Sequence, residues 1–191
     1  MSKRSASIDR RVVKTKLALR DALLALMSTR SWDDISIREI CDRANVGRST
    51  FYLRYQSKED MLADSLETLR NFLLSTAAES GRKEFPFLRG LLEHIAEQRA
   101  VFKTIIGRRG GHRVAIKFKE MVRQLIEAEL KQYGHPVAKS HWLSSYLTGG
   151  FFEVMSWWVD SSKAPPIAEM ERRFDVLMSQ ILQAELSLRR A

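Results

Sequence analysis

The most constraining feature of the chain is the pattern of helix-ending signals in residues 36–58. Ser36 and Glu39 have the spacing of a capping box, in which the serine hydroxyl accepts the N–H three residues on and the glutamate accepts the serine N–H. Asn45 tolerates the left-handed conformation that ends many helices. The pattern therefore predicts one short helix that stops at Asn45, followed by a tight turn.

A second short helix is predicted after Gly47, because glycine is acceptable as a helix cap. Phe51 and Tyr55 form its expected buried side, while its other side chains are basic or carry hydroxyls. Two short helices with a three-residue turn and a basic second helix are typical of a helix-turn-helix, whose second helix enters the major groove of DNA. The side chains expected to contact DNA are Arg38, Arg48, Ser49, Thr50, Tyr52, Arg54 and Lys58.

The chemistry of these side chains assigns them different roles. Arg48 and Ser49 open the second helix and favour base edges, since arginine can bind guanine bidentately. Thr50 and Tyr52 are hydroxyl donors suited to phosphates. Lys58 lies in the first turn of the next helix, beside free backbone N–H groups, and we expect it to pair with a phosphate rather than with an internal group. The alternative is a structural three-helix bundle with an incidental basic face.

The same stretch resembles the segment that closes the DNA-binding domain of TetR-family transcriptional regulators. The resemblance rests on Thr50-Phe51-Tyr52, Tyr55 and Ser57-Lys58-Glu59-Asp60-Met61-Leu62, and extends back through Trp32-Asp33 and Ala22-Leu23-Leu24. The chain departs from the usual family pattern at Ser31, Asn45, Gly47 and Arg54. The resemblance implies a dimeric regulator, usually a repressor, with an amino-terminal helix-turn-helix domain and a carboxy-terminal helical domain for ligand binding and dimerisation.

Charge and cysteine content agree with a DNA-binding protein. The 191 residues carry a formal charge of +9, and the first thirty hold eight basic against two acidic side chains. A solvated polar arm to about Asp9 is expected before the first helix, and DNA contact is favoured over a purely solvated role for the basic cluster. A single cysteine, no bilayer-length apolar run and no signal-peptide core lead us to expect a cytoplasmic protein.

Helical periodicity continues along the whole chain, and no strand alternation is found. We predict an all-α fold of about nine helices, with a DNA-binding domain over 1–60 and a helical regulatory and dimerisation domain over 61–191. Trp32 is expected to close the top of the first core. The side chains predicted for that core are Leu19, Leu23, Leu26, Ile37, Ile40, Ala44, Val46, Phe51 and Tyr55.

The last two long helices have the composition of a partner surface. The eighth, from about residue 139 to 160, is apolar on nearly every side and contains Gly149-Gly150, which cost a helix about 1 kcal/mol each unless close packing offsets them. The family resemblance implies a four-helix bundle formed with a second copy, and the alternative is plain internal core. The residues predicted at a dimer interface are Trp142, Tyr146, Gly150, Trp157, Phe174, Met178 and Ile181.

The resemblance also implies a small-molecule site among the fourth to seventh helices, although aromatic residues at helical spacing are often ordinary core. The residues predicted to line a pocket are Phe72, Phe102, Ile106, Phe118, Met121 and Tyr146. Residues 99–123 hold eight basic side chains and one acidic, which favours a solvated basic face over a site for an anionic effector or a second macromolecule.

Catalytic and metal-binding functions find no suitable residues. The single cysteine, Cys41, falls on the buried side of its helix, and the four histidines are scattered without ligand spacing. We therefore expect no enzyme activity, no metal and no cofactor. The sequence predicts a transcriptional regulator that binds a palindromic operator as a dimer, and the alternative is an architectural DNA-binding protein without an effector.

Overall fold

The structure, a computed structural model, describes residues 2–79, 84–107, 112–132 and 141–188. Within those ranges the secondary structure consists of nine α-helices and no strand, which confirms the all-α prediction. None of the helices in these ranges is both long and apolar enough to cross a bilayer. The helices are α1 (Ser2–Met27), α2 (Ile37–Ala44), α3 (Arg48–Tyr52), α4 (Lys58–Glu79), α5 (Leu88–Glu97), α6 (Arg99–Ile105), α7 (His112–Gln132), α8 (His141–Asp160) and α9 (Ile167–Leu188).

The first helix begins earlier than predicted. A polar arm was expected up to about Asp9, whereas α1 begins at Ser2. The amino-terminal part of α1 contains neither proline nor glycine, so no residue there interrupts the helical pattern. Polarity alone therefore misplaced the start of α1.

The predicted caps of α2 are present. The Ser36 hydroxyl accepts the Glu39 N–H at 3.3 Å, and the Glu39 carboxylate accepts the Ser36 N–H at 3.0 Å. Asn45 ends the helix in the left-handed conformation, with φ 52° and ψ 44°. Gly47 then precedes α3 in an extended conformation. The local signals thus produce the expected three-residue turn between the two short helices.

We call α1, α2 and α3 the head. A 3₁₀ turn (Trp32–Asp34) joins α1 to α2, and Trp32 is buried as predicted. All nine side chains predicted for the core of the head are buried or packed half-buried against it. The core prediction is therefore confirmed.

A carboxylate on α4 joins this helix to the head. Lys16 of α1 donates to the two carboxylate oxygens of Asp64 at 2.8 and 3.0 Å, and the Tyr55 hydroxyl donates to the same group at 2.7 Å. Partial burial by itself raises the pKa of Asp64, but the bonds from Lys16 and Tyr55 outweigh it, and the pKa lies below its ordinary value. Asp64 therefore stays ionised. Its carboxylate attaches α4 both to α1 and to the segment that follows α3.

The remaining helices pack mainly in pairs. α7 lies against α8, α5 lies against α9, and α6 contacts both α1 and α8. Arg99 of α6 donates to the carbonyl oxygens of Trp158 and Ser161 at 2.8 and 2.7 Å, which satisfies acceptors at the end of α8. The Thr104 hydroxyl of α6 donates to the Met27 carbonyl at 2.6 Å. This last bond ties α6 to the end of α1.

Candidate functional site

The outer surface of α3 and the residues just after it present polar side chains without internal partners. Arg48, Ser49, Tyr52 and Arg54 are exposed, and Thr50 is half-buried. Within the described part of the chain, none of these side chains makes a hydrogen bond or ion pair. No aspartate or glutamate occurs between residues 44 and 58. Five of the predicted contact residues thus lie on one exposed, acid-free segment that is rich in hydrogen-bond donors.

The orientation of α3 depends on buried aromatic side chains. The helix has five residues, too few to be stable by itself. Phe51 is fully buried, and its ring lies 5.5 Å from the Tyr52 ring in an edge-on arrangement and 5.6 Å from the Tyr55 ring. The buried Phe51 ring and its contact with the buried Tyr55 ring fix one side of α3 on the core of the head, and the other side, which carries Tyr52, faces solvent.

On α2, one predicted contact residue is also available. Arg38 is exposed, and its Nε lies 3.6 Å from the Asp42 carboxylate, a loose pair at the surface. Glu39, one residue on, accepts a hydrogen bond from Arg30. That bond, followed by those from Ser36, lowers the pKa of Glu39 to about 2. The acidic group beside Arg38 is therefore already occupied.

Lys58 has internal partners that the sequence did not indicate. Its amine donates to the carbonyl oxygens of Trp32 at 2.7 Å and Ile35 at 2.9 Å, and it lies 4.8 Å from the centre of the Trp32 ring. We expected a phosphate to suit this amine better than an internal group, and the structure contradicts that ranking. The start of α4 lies close to the 3₁₀ turn and to Ile35 just after it, and carbonyl oxygens from these two places engage two of the three N–H donors.

One face of α8 is apolar and is left uncovered by the described residues of the chain. Trp142, Tyr146 and Trp157 are each more than half exposed. Gly150 is also exposed, and no atom of the described chain outside its own helix backbone lies within 4 Å of the point where a Cβ would stand. These four predicted interface residues recur at helical spacing and share one side of α8.

On α9 the structure divides the predicted interface residues. Phe174 and Met178 are 7% and 4% exposed inside the protomer, so they are core residues and contribute no area to a partner. Ile181 is half-buried. Val176 and Leu177, which were not predicted, are more than half exposed. Helix α9 carries two apolar stripes, and the sequence alone did not distinguish the inner from the outer one.

A cavity of about 400 Å³ lies between α1, α4, α5, α6 and α7. Phe72, Phe102 and Phe118 line it as predicted. Ile106 and Met121 are buried but are not among its lining residues. Tyr146 lies on the exposed face of α8, so its assignment to the pocket was wrong. Helical spacing finds aromatic residues but does not show which side of each helix faces a void.

Two polar residues of the cavity were missed by the sequence prediction. Arg20 of α1 and His94 of α5 both line it. In the sequence, Arg20 is one of eight basic side chains among the first thirty residues, and His94 is one of four scattered histidines. A half-buried polar residue within an apolar helical stripe is the signal that marks both of them.

The basic segment 99–123 is not one uniform solvated face. Arg99 binds carbonyl oxygens at the end of α8, and Arg123 forms ion pairs with Glu120 and Glu127. Lys117 is exposed on α7. The expected basic face is therefore reduced by side chains that have structural partners.

Comparisons with known proteins agree with this geometry. Residues 19–64 match the family described as bacterial regulatory proteins, tetR family, and residues 82–180 match a family described as transcriptional regulator C-terminal region. A 61-residue segment is 38% identical to the HTH-type transcriptional regulator YxbF of Bacillus subtilis, and it covers 31% of this chain and 16% of that protein. The chain therefore spans well under two thirds of that relative.

Solved structures match over most of the chain. A TetR transcriptional regulator from Streptococcus agalactiae is 23% identical, with a TM-score of 0.65 over 91% of this chain and 98% of the other. A TetR-family regulator from Syntrophomonas wolfei is 20% identical, with a TM-score of 0.64 over 87% and 94%. At these identities the structures establish the fold. Together with the two family matches, they show that the chain belongs to the TetR family of transcriptional regulators, with α2 and α3 as its DNA-binding helix-turn-helix.

Proposed function

We propose that the protein is a dimeric repressor that binds a near-palindromic operator and is released by a small-molecule effector. The observation that carries the DNA-reading part is the exposed segment from Arg48 to Arg54. Its donors have no partners inside the described chain, and no aspartate or glutamate occurs between residues 44 and 58 to compete for them. Such a surface favours a polyanion, and the formal charge of +9 strengthens the attraction.

Within that segment, position determines the role of each side chain. Arg48 and Ser49 at the start of α3 read base edges, because the first residues of a recognition helix reach deepest into the major groove. Thr50, Tyr52 and Arg54 bind phosphate oxygens and set the register of the head on the duplex. Arg38 of α2 adds a backbone contact.

Two adjacent glycines support dimerisation through α8. Gly149 and Gly150 each cost the helix about 1 kcal/mol relative to alanine unless close packing offsets that cost. Apart from the adjoining residues and the backbone of α8 itself, no described atom lies within 4 Å of either Cβ position. Packing against the described residues therefore does not account for them. A helix from a second copy, laid against the exposed side chains of Tyr146 and Trp157, supplies the close approach.

A two-fold dimer also explains how so small a reading surface gains specificity. A C₂ axis repeats α3 on a second half-site about 34 Å away, or a multiple of that distance. The operator then repeats the symmetry of the protein. Each half-site contributes its own base contacts, and the two together multiply the discrimination that one five-residue helix provides.

The cavity supports an effector that acts on the heads. Its walls include α1 and α4, the helices on either side of the helix-turn-helix. A ligand that binds one arrangement of these helices more tightly than another shifts the protein toward that arrangement. The spacing of the two heads then changes, and the operator affinity falls.

Footprinting of the full chain on fragments of its own genome tests the DNA-reading proposal. Discrete protection of near-palindromic sites is the expected result. A uniform coating of every fragment that weakens steeply with salt would instead show an architectural DNA-binding protein that ignores sequence.

Sedimentation at micromolar concentration tests the dimer. The unmodified chain should sediment as a dimer, and Gly150→Leu should shift it to monomer, because the added side chain blocks the close approach of the second helix. Ala100→Leu is the matched control, since Ala100 is an exposed small residue on α6. A Gly150→Leu protein that remains dimeric would show that another face joins the two copies.

A further inference from the structure

Leu53 is an apolar side chain within the donor-rich segment formed by α3 and the residues just after it. It is 78% exposed, the highest fraction of any large apolar side chain in the described residues. The residues predicted from the sequence to contact DNA do not include it. An exposed leucine needs no explanation by itself. The direction of the Leu53 side chain therefore decides whether it has a role.

Leu53 points away from the core of the head. The residue keeps helical backbone geometry, with φ −69° and ψ −14°, and its N–H donates to the Ser49 carbonyl at 3.0 Å. It follows the fully buried Phe51 by two residues, which is a rotation of roughly 200° around a helix. Leu53 therefore lies on the side of α3 opposite Phe51, which is the side farthest from the core.

The same side of α3 carries Ser49, one turn earlier. Residues four apart on a helix share a face, with their Cβ atoms about 6 Å apart. Ser49 and Leu53 are both exposed. Thr50 and Tyr52 lie on opposite flanks of this face, at roughly 60° and 100° around the helix from Leu53. Under the proposed function these two residues bind phosphates, so Leu53 lies between the backbone contacts and over the base edges.

The chemistry of leucine limits what it can contact there. Leucine has no donor or acceptor, so against a phosphate it would displace water without replacing the hydrogen bond. The apolar group that the major groove presents is the C5 methyl of thymine. A protein partner is disfavoured, because Ser49 and Arg54 on either side of Leu53 are polar and no continuous apolar patch surrounds it in this segment.

We propose that Leu53 packs against the C5 methyl of a thymine in each half-site and thereby makes the protein prefer a T·A pair at that position. Arg48 and Ser49 read base edges through hydrogen bonds, and Leu53 adds an apolar contact one turn further along. The contact buries about one methyl group, which is equivalent to about fourfold in affinity for each half-site. This inference rests on the proposed function, because it names a base that the same DNA-reading surface selects.

Deoxyuridine substitution in the footprinted operator tests the contact. Deoxyuridine pairs as thymidine does and lacks only the methyl group. Thymines at symmetric positions, one in each half-site, are replaced one pair at a time, and binding of the full chain is measured by fluorescence anisotropy. We expect one pair of positions at which the substitution lowers the affinity about fifteenfold, the product of two half-site effects.

Substitutions of Leu53 assign the effect to this side chain. Leu53→Ala should abolish the difference between thymine and deoxyuridine at the sensitive pair of positions. Leu53→Met keeps an apolar side chain of similar size and should retain most of the difference. Leu74→Ala is the matched control, because Leu74 is an exposed leucine on α4 outside the head, and it should leave the full difference. Melting temperatures of the three variants verify that each one is folded.

Three results would overturn the Leu53 contact. They are an operator in which no pair of thymines is sensitive to deoxyuridine, a sensitivity that persists in Leu53→Ala, and a Leu53→Ala protein that binds more weakly but still discriminates fully between the two operators. Each of these results leaves the proposed function intact, since the operator is still bound. A chain that protects no discrete site contradicts the proposed function, and the Leu53 contact is then refuted with it.

Discussion

Replacing Lys58 by methionine should lower the free energy of unfolding by about 2 kcal/mol. The Lys58 amine donates to the carbonyl oxygens of Trp32 at 2.7 Å and Ile35 at 2.9 Å. Hydrogen bonds from charged groups contribute about 1.5–3 kcal/mol each, and the nearby Trp32 ring adds about 0.5–1 kcal/mol. Lys58 is half-buried, so water can replace part of the hydrogen bonds and of the ring contact. The net loss of stability should therefore lie below the sum of these contributions.

Urea unfolding followed by tryptophan fluorescence measures this loss. With a slope of about 2 kcal/mol per molar urea, the midpoint should fall by about 1 M while the slope itself stays constant. Protein concentration must be held fixed, because unfolding of a dimer depends on it. Lys117→Met is the matched control, since Lys117 is exposed on α7 and should leave the midpoint unchanged.

The same variant separates the two roles that Lys58 was given. A phosphate contact contributes about 1 to the slope of log affinity against log salt, whereas an internal contact contributes nothing to it. We expect Lys58→Met to leave that slope unchanged. The internal role would be refuted if Lys58→Met lowered the free energy of unfolding by less than about 0.5 kcal/mol and reduced the slope of log affinity against log salt by about 1. Lys58 would then be a phosphate contact, as the sequence predicts.

Three further substitutions test the head. Arg48→Ala should relax the preference at one operator position by about 1–3 kcal/mol, measured on single-base operator variants, and a uniform loss on every sequence would make Arg48 a backbone contact. Hydrogen bonds from Arg30 and Ser36 lower the pKa of Glu39 from 4.5 to about 2. The ionised carboxylate therefore stabilises the fold fully above pH 4.5, and this contribution is lost as the pH falls toward 2. Glu39→Gln should therefore flatten the acid dependence of stability in that window, and an unchanged profile would contradict this. Tyr55→Phe should cost about 1–2 kcal/mol in urea unfolding through its lost bond to Asp64, and an unchanged midpoint would assign no stability to that bond.

The head could be predicted closely because its signals are local. The capping box joins Ser36 and Glu39 across three residues, and Asn45 ends α2 through its own backbone preference. The core of the head follows from helical spacing combined with burial of one side of each helix. Helix capping and helical spacing depend on residues within one or two turns of each other. The residues needed to apply these rules are therefore all present in a single sequence.

The errors concern partners that are distant in sequence. Lys58 binds carbonyl oxygens 23 and 26 residues earlier, and no spacing rule connects them. Both stripes of α9 are apolar, so the sequence places Phe174 and Met178 at an interface. Only the packing of α9 against α5, and of the Phe174 ring against Phe151 of α8 at 5.3 Å, shows which stripe is internal. His94 lines a cavity whose walls come from five helices, and no spacing rule in the sequence brings those helices together.

The contacts at the two ends of the helix-turn-helix give the proposed effector a mechanical route to DNA. Helix α1 ends at Met27, whose carbonyl accepts the Thr104 hydroxyl of α6, and α4 begins at Lys58, which binds the turn between α1 and α2. The cavity lies against α1, α4 and α6 at once. A ligand that separates α6 from α1 therefore acts on the Thr104 bond, while the Lys58 bonds keep the start of α4 attached to the head. Under the proposed function, the head would therefore move as one body, and the operator would sense a change in the distance between two heads rather than a change within either one.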